Sequence, residues 1–113
     1  MDKLARYREI IKQVLQKHVA TANRRSQPGV ERFMIADETR DHYFLFSLGW
    51  VADQRLRNFS VYVRLKDGQF WIEHDLTEGG LANELLEAGV PPTDIVLAFQ
   101  HPQERLLTEA AAA

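Results

Sequence analysis

The dipeptide Asp67-Gly68 separates two runs that are rich in β-branched and aromatic residues, at positions 58–66 and 69–74. Asp-Gly is the preferred sequence of a two-residue type I′ turn, because both residues tolerate positive φ and the twist of the turn matches that of the flanking strands. The sequence from 58 to 74 therefore predicts a β-hairpin as the central piece of the fold.

A two-residue turn also predicts which residues of the hairpin lie opposite each other, starting from Lys66 and Gln69. Counted outward, one face carries three predicted pairs: Leu65 with Phe70, Val63 with Ile72, and Val61 with His74. The other face carries two: Arg64 with Trp71, and Tyr62 with Glu73. The first face predicts core, whereas the second is amphipathic and predicts a docking surface with a cation–π contact between Arg64 and Trp71.

Before the hairpin, the sequence predicts one helix and two strands. Within residues 4–22, five apolar side chains fall within an arc of about 100° at 3.6 residues per turn, which is typical of an amphipathic helix: Leu4, Tyr7, Ile11, Val14 and Leu15. His18 lies inside that arc, where a packed or hydrogen-bonded histidine is expected more often than a metal ligand. Residues 30–36 predict a first strand, and residues 37–41 predict a turn.

The second predicted strand, at 42–51, is apolar on both faces. One face carries Tyr43, Leu45 and Ser47, and the other carries Phe44, Phe46, Leu48 and Trp50. A strand of this kind is usually covered on both sides. We expect helices on one side and a second subunit or the C-terminal tail on the other, because a single helix layer would leave these aromatic residues in water.

After the hairpin, residues 81–88 predict a short helix that ends at Gly89, with Pro91 and Pro92 blocking its continuation. The apolar run at 95–99 predicts a last short strand, and residues 110–113 predict a helical or loose tail. The predicted fold is α+β, with an N-terminal amphipathic helix, an antiparallel sheet of about four strands around the central hairpin, a second short helix and a short C-terminal strand. A chain of 113 residues fits a single domain, at 1–113.

The composition excludes several classes of protein. A hydrophobic content of 45% with 27% charged residues is that of an ordinary globular protein. The chain has no cysteine, which excludes disulfides, thiolate nucleophiles and sulfur-ligated metals. Its charged first residues and the lack of a long apolar run predict neither a signal peptide nor a membrane span, so a cytoplasmic location is expected.

Charge is distributed unevenly along the chain. The first 25 residues sum to about +5, and the residues from Glu73 onward sum to about −7. The N-terminal cations are Lys3, Arg6, Arg8, Lys12, Lys17, Arg24 and Arg25. They predict a solvated face, or pairing with the acidic half within one molecule or between two. DNA contact through these residues is the alternative, less favoured because the pI of about 6.1 lacks the basic character of a stand-alone DNA binder.

No arrangement of residues predicts a catalytic, metal or cofactor site. The four histidines lie on four different predicted elements, and none forms an i, i+4 pair. Asp41-His42 and Glu73-His74-Asp75 are the only neighbouring carboxylates and histidines, and adjacent strand residues point to opposite faces. Gly79-Gly80 lacks the lysine and further glycines of a phosphate-binding loop. We therefore predict a protein that is not an enzyme and needs no cofactor.

The order of several short segments resembles the XisI family, the fdxN element excision controlling factors, over nearly the whole chain. In the first half, the matching residues are Met1-Asp2-Lys3-Leu4, Tyr7, Ile10-Ile11, Asp41-His42-Tyr43 and Gly49-Trp50. In the second half, they are Asp67-Gly68, Trp71-Ile72, Thr77-Glu78, Leu85, Gly89-Val90-Pro91, Asp94-Ile95-Val96-Leu97, Phe99 and Thr108-Glu109. Phe70, Glu73 and the alanines at 110–113 depart from the family pattern.

The resemblance implies a small α+β protein of cyanobacteria and related bacteria, in a heterocyst-associated setting. It also implies a role in the programmed excision of a DNA element by a separate recombinase. Such proteins commonly accompany a XisH-like partner, which resembles a restriction-endonuclease fold. The family offers no established catalytic residues to transfer to this chain.

Three hypotheses follow from the resemblance and the charge pattern. In the first, the protein is a homodimeric accessory factor that contacts a XisH-like protein through Tyr43, Trp50, Tyr62, Arg64, Trp71 and Glu73. In the second, it neutralises its nuclease-like partner as an antitoxin does, with the acidic half shielding a basic surface. In the third, the N-terminal cations contact DNA directly.

Overall fold

The computed structural model describes residues 2–25 and 28–102, which form two α-helices and a five-stranded sheet. The helices are α1 (Lys3–Arg24) and α2 (Leu81–Glu87), and a short 3₁₀ helix spans Pro92–Asp94. The strands are β1 (Val30–Asp37), β2 (His42–Val51), β3 (Gln54–Lys66), β4 (Gln69–Asp75) and β5 (Ile95–Leu97). The tail predicted at 110–113 lies outside the described residues.

The sheet follows the chain, in the order β1-β2-β3-β4-β5. The first four strands are antiparallel neighbours, but β5 runs parallel to β4 and pairs Phe70 with Ile95 and Ile72 with Leu97. A parallel neighbour requires a crossover connection, which α2 supplies. The predicted α+β fold is confirmed, but the sheet has five strands, not four, and it is mixed.

Asp2 caps the N-terminus of α1, and its side chain accepts a hydrogen bond from the Ala5 N–H at 2.8 Å. This is the usual role of aspartate at a helix N-cap. The helix buries Tyr7, Ile11 and Leu15, which lie on one face as the predicted apolar arc requires. It therefore covers the sheet with the face that the sequence predicted.

The core lies between one side of the sheet and the two helices. Its buried residues are Tyr7, Ile11, Leu15, Tyr43, Leu45, Val61, Val63, Leu65, Phe70, Ile72, Leu81, Leu85, Val90 and Ile95. Helix α2 ends where the N–H groups of Gly89 and Val90 bond to the carbonyls of Leu86 and Leu85, both at 3.0 Å. These two bonds form a Schellman motif, which confirms Gly89 as the end of the helix.

The hairpin turns at Asp67 and Gly68, whose φ angles of 54° and 73° are those of a type I′ turn. Its predicted register holds from Lys66 opposite Gln69 to Val63 opposite Ile72. Beyond that point β4 contains one extra residue, so Tyr62 pairs with His74 and Val61 with Asp75. The predicted pairs of Tyr62 with Glu73 and Val61 with His74 are therefore wrong, because a β-bulge shifts the register by one residue.

Strand β3 is longer than predicted and contains a second irregularity. It starts at Gln54 because Ala52 and Asp53 form a two-residue turn after β2, with Ala52 at a φ of 53°. Leu45 pairs with Val61 and Phe46 with Phe59, which leaves Ser60 as an extra residue. This second bulge decides which side chains of β3 lie on each side of the sheet.

Candidate protein-interaction face

The side of the sheet opposite α1 and α2 carries a continuous set of large side chains, which we call the outer face. Alternation along the strands places every second residue here, because the intervening residues face the core. The outer face comprises Phe33, Ile35, Phe44, Phe46, Phe59, Tyr62, Arg64, Trp71, Glu73 and His74. It spans β1 to β4.

Aromatic rings contact one another along this face. Phe44 and Tyr62 stack with ring centroids 4.3 Å apart and an interplanar angle of 12°. Phe59 meets both rings edge-on, with centroids at 5.7 and 6.1 Å, and also lies 5.1 Å from the ring of His74. The bulge at Ser60 makes this cluster possible, because it places Phe59 beside Tyr62 on the same side of the sheet.

The apolar part of the outer face is partly open to solvent. Phe59 is 37% exposed and Ile35 is 43% exposed, whereas Val61 and Val63 on the other side of the same sheet are fully buried. Large apolar groups that share one exposed surface are typical of protein-binding sites. The geometry therefore favours association with another protein surface.

A polar edge borders the aromatic cluster on β2, β3 and β4. His42 Nδ1 lies 2.7 Å from the Tyr62 hydroxyl, and burial raises the pKa of Tyr62. Arg64 binds the Glu73 Oε2 atom through Nε at 3.1 Å and Nη2 at 3.0 Å. The edge therefore carries a compensated charge pair rather than a free cation.

Four of the six predicted contact residues lie on the outer face: Tyr62, Arg64, Trp71 and Glu73. Arg64 lies opposite Trp71 as predicted, but its guanidinium is paired with Glu73. Lys66 instead supplies a cation over the Trp71 ring, because its Nζ lies 4.7 Å from the ring centroid. The Trp71 indole N–H donates to the Lys66 carbonyl at 3.1 Å, which fixes the ring against the hairpin turn.

The remaining two predicted contact residues have different positions. Trp50 is 54% exposed near the end of β2, where the Arg55 guanidinium lies 5.4 Å from its ring centroid. Tyr43 is fully buried among the core residues, and its hydroxyl donates to Asp41 at 3.0 Å. A buried core side chain cannot contact a partner of the folded chain, so the assignment of Tyr43 to a contact surface is wrong.

Sequence reasoning missed Phe59 and His74 as members of this face. Simple alternation from the Asp67-Gly68 turn places both residues on the core side. The two bulges move them to the outer face, and a bulge is an accommodation between two strands that a single strand sequence does not reveal. Phe59 nevertheless contacts three other rings, those of Phe44, Tyr62 and His74.

Three of the cations of α1 bind carboxylates of the same chain. Lys3 Nζ binds Asp94 at 2.9 Å, and Lys12 Nζ binds Glu9 at 2.9 Å and Glu38 at 2.6 Å. Arg8 makes two hydrogen bonds to Asp41. Apart from the Lys12–Glu9 pair within α1, these contacts join the helix to the acidic half and to the turn between β1 and β2.

The other four cations on or next to α1 are exposed: Arg6, Lys17, Arg24 and Arg25. The Arg6 guanidinium lies 5.5 Å from the Tyr7 ring centroid, and Arg24 Nη2 lies 3.4 Å from the Thr21 hydroxyl oxygen. His18, predicted to be packed or hydrogen-bonded, has its Nε2 2.6 Å from the Glu84 carboxylate. This contact joins α1 to α2.

Within residues 2–25 and 28–102, no group of three or more histidine, aspartate or glutamate side chains could hold a metal ion. None of the helices in this part of the chain is both long and apolar enough to cross a bilayer.

Comparisons with known proteins agree with the fold. The family model described as XisI protein matches residues 1–112. A XisI-like protein from Anabaena variabilis ATCC 29413 has a crystal structure that superposes with a TM-score of 0.86 at 34% sequence identity, covering 94% of this chain and 95% of that one. The fdxN element excision controlling factor XisI from the same organism gives a TM-score of 0.79 at 36% identity, covering 92% and 99%. No curated protein matches the chain.

Proposed function

The chain belongs to the XisI family, and we propose that it is a non-enzymatic accessory factor that controls the excision of a DNA element through contacts with other proteins. Its solved relative, the fdxN element excision controlling factor XisI from Anabaena variabilis, supports the role in excision, because it is covered over 99% of its length at 36% identity. The observation that carries the proposed mode of action is the partly exposed aromatic cluster of the outer face.

The outer face has the chemistry that protein partners use. Binding energy in interfaces concentrates in aromatic and arginine side chains that become desolvated, surrounded by a polar rim. Phe59, Tyr62 and Trp71 would supply the aromatic anchors, and the Arg64–Glu73 pair would supply the rim. We place the contact with the partner here, with Trp50 at the end of β2 as an outlying member.

As partners we propose a second copy of the chain and the XisH-like protein that the family resemblance implies. A homodimer would cover the aromatic rings in the absence of the second protein, and the XisH-like protein would act through the same surface or beside it. Direct contact with DNA receives less support, because Lys3, Arg8 and Lys12 are already bound to carboxylates of the same chain.

The proposal is tested by co-purification of the tagged chain with the product of the adjacent XisH-like reading frame. We expect Phe59→Ala to weaken the complex by about 2 kcal/mol, or roughly thirtyfold in Kd, because it removes the ring at the centre of the cluster. Leu86→Ala is the matched control, since Leu86 is 40% exposed but lies on α2. Retention of the complex at wild-type affinity by both variants would contradict the proposed contact face.

Two further measurements separate the accessory role from its alternatives. Sedimentation velocity of the isolated chain should show a dimer that Phe59→Ala shifts toward monomer and Leu86→Ala does not. Expression of the XisH-like partner alone then distinguishes a controlling factor from a neutraliser. Growth arrest relieved by co-expression of this chain would favour the antitoxin-like role, and unaffected growth would exclude it.

A further inference from the structure

A cleft of about 680 Å³ opens on the helix side of the sheet, away from the outer face. It is bounded by the last turns of α1, the inner surfaces of β1, β2 and β3, and the loop that follows β4. We call it the polar cleft, and its polar lining residues are His18, Arg25, Arg32, Ser47, Ser60 and Thr77. A volume of this size lies in the range of small-molecule sites, which is about 300–1,000 Å³.

Ser47 is the first observation that points to a ligand. Its side chain lines the cleft and it is only 8% exposed, which makes it the one buried polar residue among the described residues. Across residues 2–25 and 28–102, no side-chain hydrogen bond satisfies its hydroxyl. Buried polar groups are normally paired, so a hydroxyl left unpaired beside a cavity is expected to have its partner in that cavity.

Ser60 is the second observation, because the bulge in β3 directs it to the same cleft. Its carbonyl accepts the Leu76 N–H at 2.8 Å, which ties the loop after β4 to the bulge. Bulges are common next to functional sites because they redirect one side chain out of strict alternation. Ser47 and Ser60, from neighbouring strands, thus present two hydroxyls to one space.

The charge of the lining defines the class of ligand. The described residues that line the cleft include Arg25 and Arg32 but no aspartate or glutamate. The nearby Glu84 carboxylate contacts His18, whose Nε2 lies 2.6 Å from Glu84 Oε2. The α1 carbonyls of Ala22 and Asn23 accept the Arg25 N–H, so these groups at the negative end of the helix are satisfied.

We propose that the polar cleft binds a small organic anion, with its carboxylate or phosphate held by Arg25 and Arg32 and hydrogen-bonded by Ser47 and Ser60. Guanidinium groups suit both oxyanions because their donors form a planar fork. Leu45 and Leu76 provide an apolar surface for the carbon skeleton. This site is independent of the outer face and of the proposed role in excision.

Isothermal titration of the full chain with citrate and with ribose 5-phosphate, at constant ionic strength in chloride, tests the proposal. We expect saturable binding of at least one probe, and the preferred probe identifies the oxyanion as carboxylate or phosphate. Arg25→Gln and Arg32→Gln should each weaken binding about tenfold or more, and Ser47→Ala about threefold to tenfold. Arg57→Gln, an exposed cation on β3 outside the cleft, should stay within about twofold of wild type.

Arg25 is exposed, so its substitution leaves the core intact and keeps the test valid if Arg32→Gln fails to fold. Ser47→Ala should leave the unfolding midpoint of the ligand-free chain unchanged or raised, because it removes an unpaired buried hydroxyl. The proposal is overturned if neither probe binds saturably. It is also overturned if all variants, Arg57→Gln included, bind the probes as tightly as wild type.

Discussion

The Arg8 guanidinium donates two hydrogen bonds to the Asp41 carboxylate, from Nε to Oδ1 at 2.9 Å and from Nη2 to Oδ2 at 3.1 Å. The Tyr43 hydroxyl donates to the same Oδ1 atom at 3.0 Å. Asp41 thereby joins the N-terminal helix to the turn between β1 and β2. The backbone of Asp41 is left-handed, with a φ of 59°. The hydrogen bonds from Arg8, followed by the contribution of Tyr43, hold the pKa of Asp41 below its usual value of 3.8 despite the opposing effect of burial.

We expect the stability of the chain to decrease in acid, in part because of Asp41. Its folded-state pKa is depressed, so its contribution is fully present above the unfolded pKa near 3.8 and is lost as the pH falls through the lower folded value. Asp41→Asn can keep the left-handed φ but removes the charge. Urea unfolding from pH 6 down to pH 2 should therefore show a smaller loss of unfolding free energy in Asp41→Asn than in wild type.

Arg8→Gln provides the matched control for the pH prediction. It should remove most of the same pH dependence, and the double variant should be little worse than either single variant, because both changes break one interaction. Strictly additive losses would show that the two side chains contribute independently, contrary to the geometry.

A second prediction compares the two sides of the sheet. Phe70 is fully buried and lies 4.6 Å from the ring of Tyr7, so Phe70→Ala should lower the free energy of unfolding by about 3–5 kcal/mol. Phe59→Ala removes an edge-on ring that is 37% exposed, and it should cost about 1 kcal/mol. Urea unfolding at a concentration where the chain is monomeric measures both. Equal losses would mean that the outer face is buried within a single chain.

A third prediction concerns the close approach of Gly49 to Gly29. A Cβ atom on Gly49 would lie 1.9 Å from the Gly29 carbonyl oxygen, and its φ of 151° disfavours other residues. The same Gly29 oxygen accepts the Trp50 N–H at 3.0 Å, so the backbone has little room to move. Gly49→Ala should therefore cost about 2–4 kcal/mol by thermal or urea unfolding.

Gly79→Ala is the control for this prediction, because nothing lies within 4 Å of the added Cβ and its φ is not positive. It should change the free energy of unfolding by no more than about 0.5 kcal/mol. If both substitutions cost the same, the loss at Gly49 would reflect strand propensity rather than the contact with Gly29.

The elements that the sequence predicted are those with a local chemical signature. Asp67-Gly68 specifies its turn and the first four pairs of the register, because positive φ and strand twist are properties of the dipeptide itself. The Ala52-Asp53 turn carries no such signature, since alanine rarely adopts positive φ, and the start of β3 was missed. The parallel pairing of β5 was missed as well, because it depends on the crossover through α2.

Residues of the candidate sites were likewise predictable only where a local sequence signature places them. Tyr62 and Trp71 could be assigned to the outer face because they lie within or near the predicted register. Phe59 and the polar cleft could not be predicted, because both depend on the bulge at Ser60. Tyr43 was wrongly included because an aromatic residue on a doubly apolar strand fits either side, and only the packing of α1 decides between them.

A fourth prediction concerns direct contact between the basic residues of α1 and DNA. Of the seven cations, Lys3, Arg8 and Lys12 already bind carboxylates of the chain, and the net charge of the protein is −2. We expect no saturable binding of a fluorescent duplex by the isolated chain at 50 mM salt and up to about 10 μM protein, because few phosphates could be neutralised. Fluorescence anisotropy provides the measurement. Binding that weakens with salt, and whose salt slope falls by about 1 when Arg24 or Arg25 is replaced by glutamine, would instead establish these residues as a DNA-binding surface.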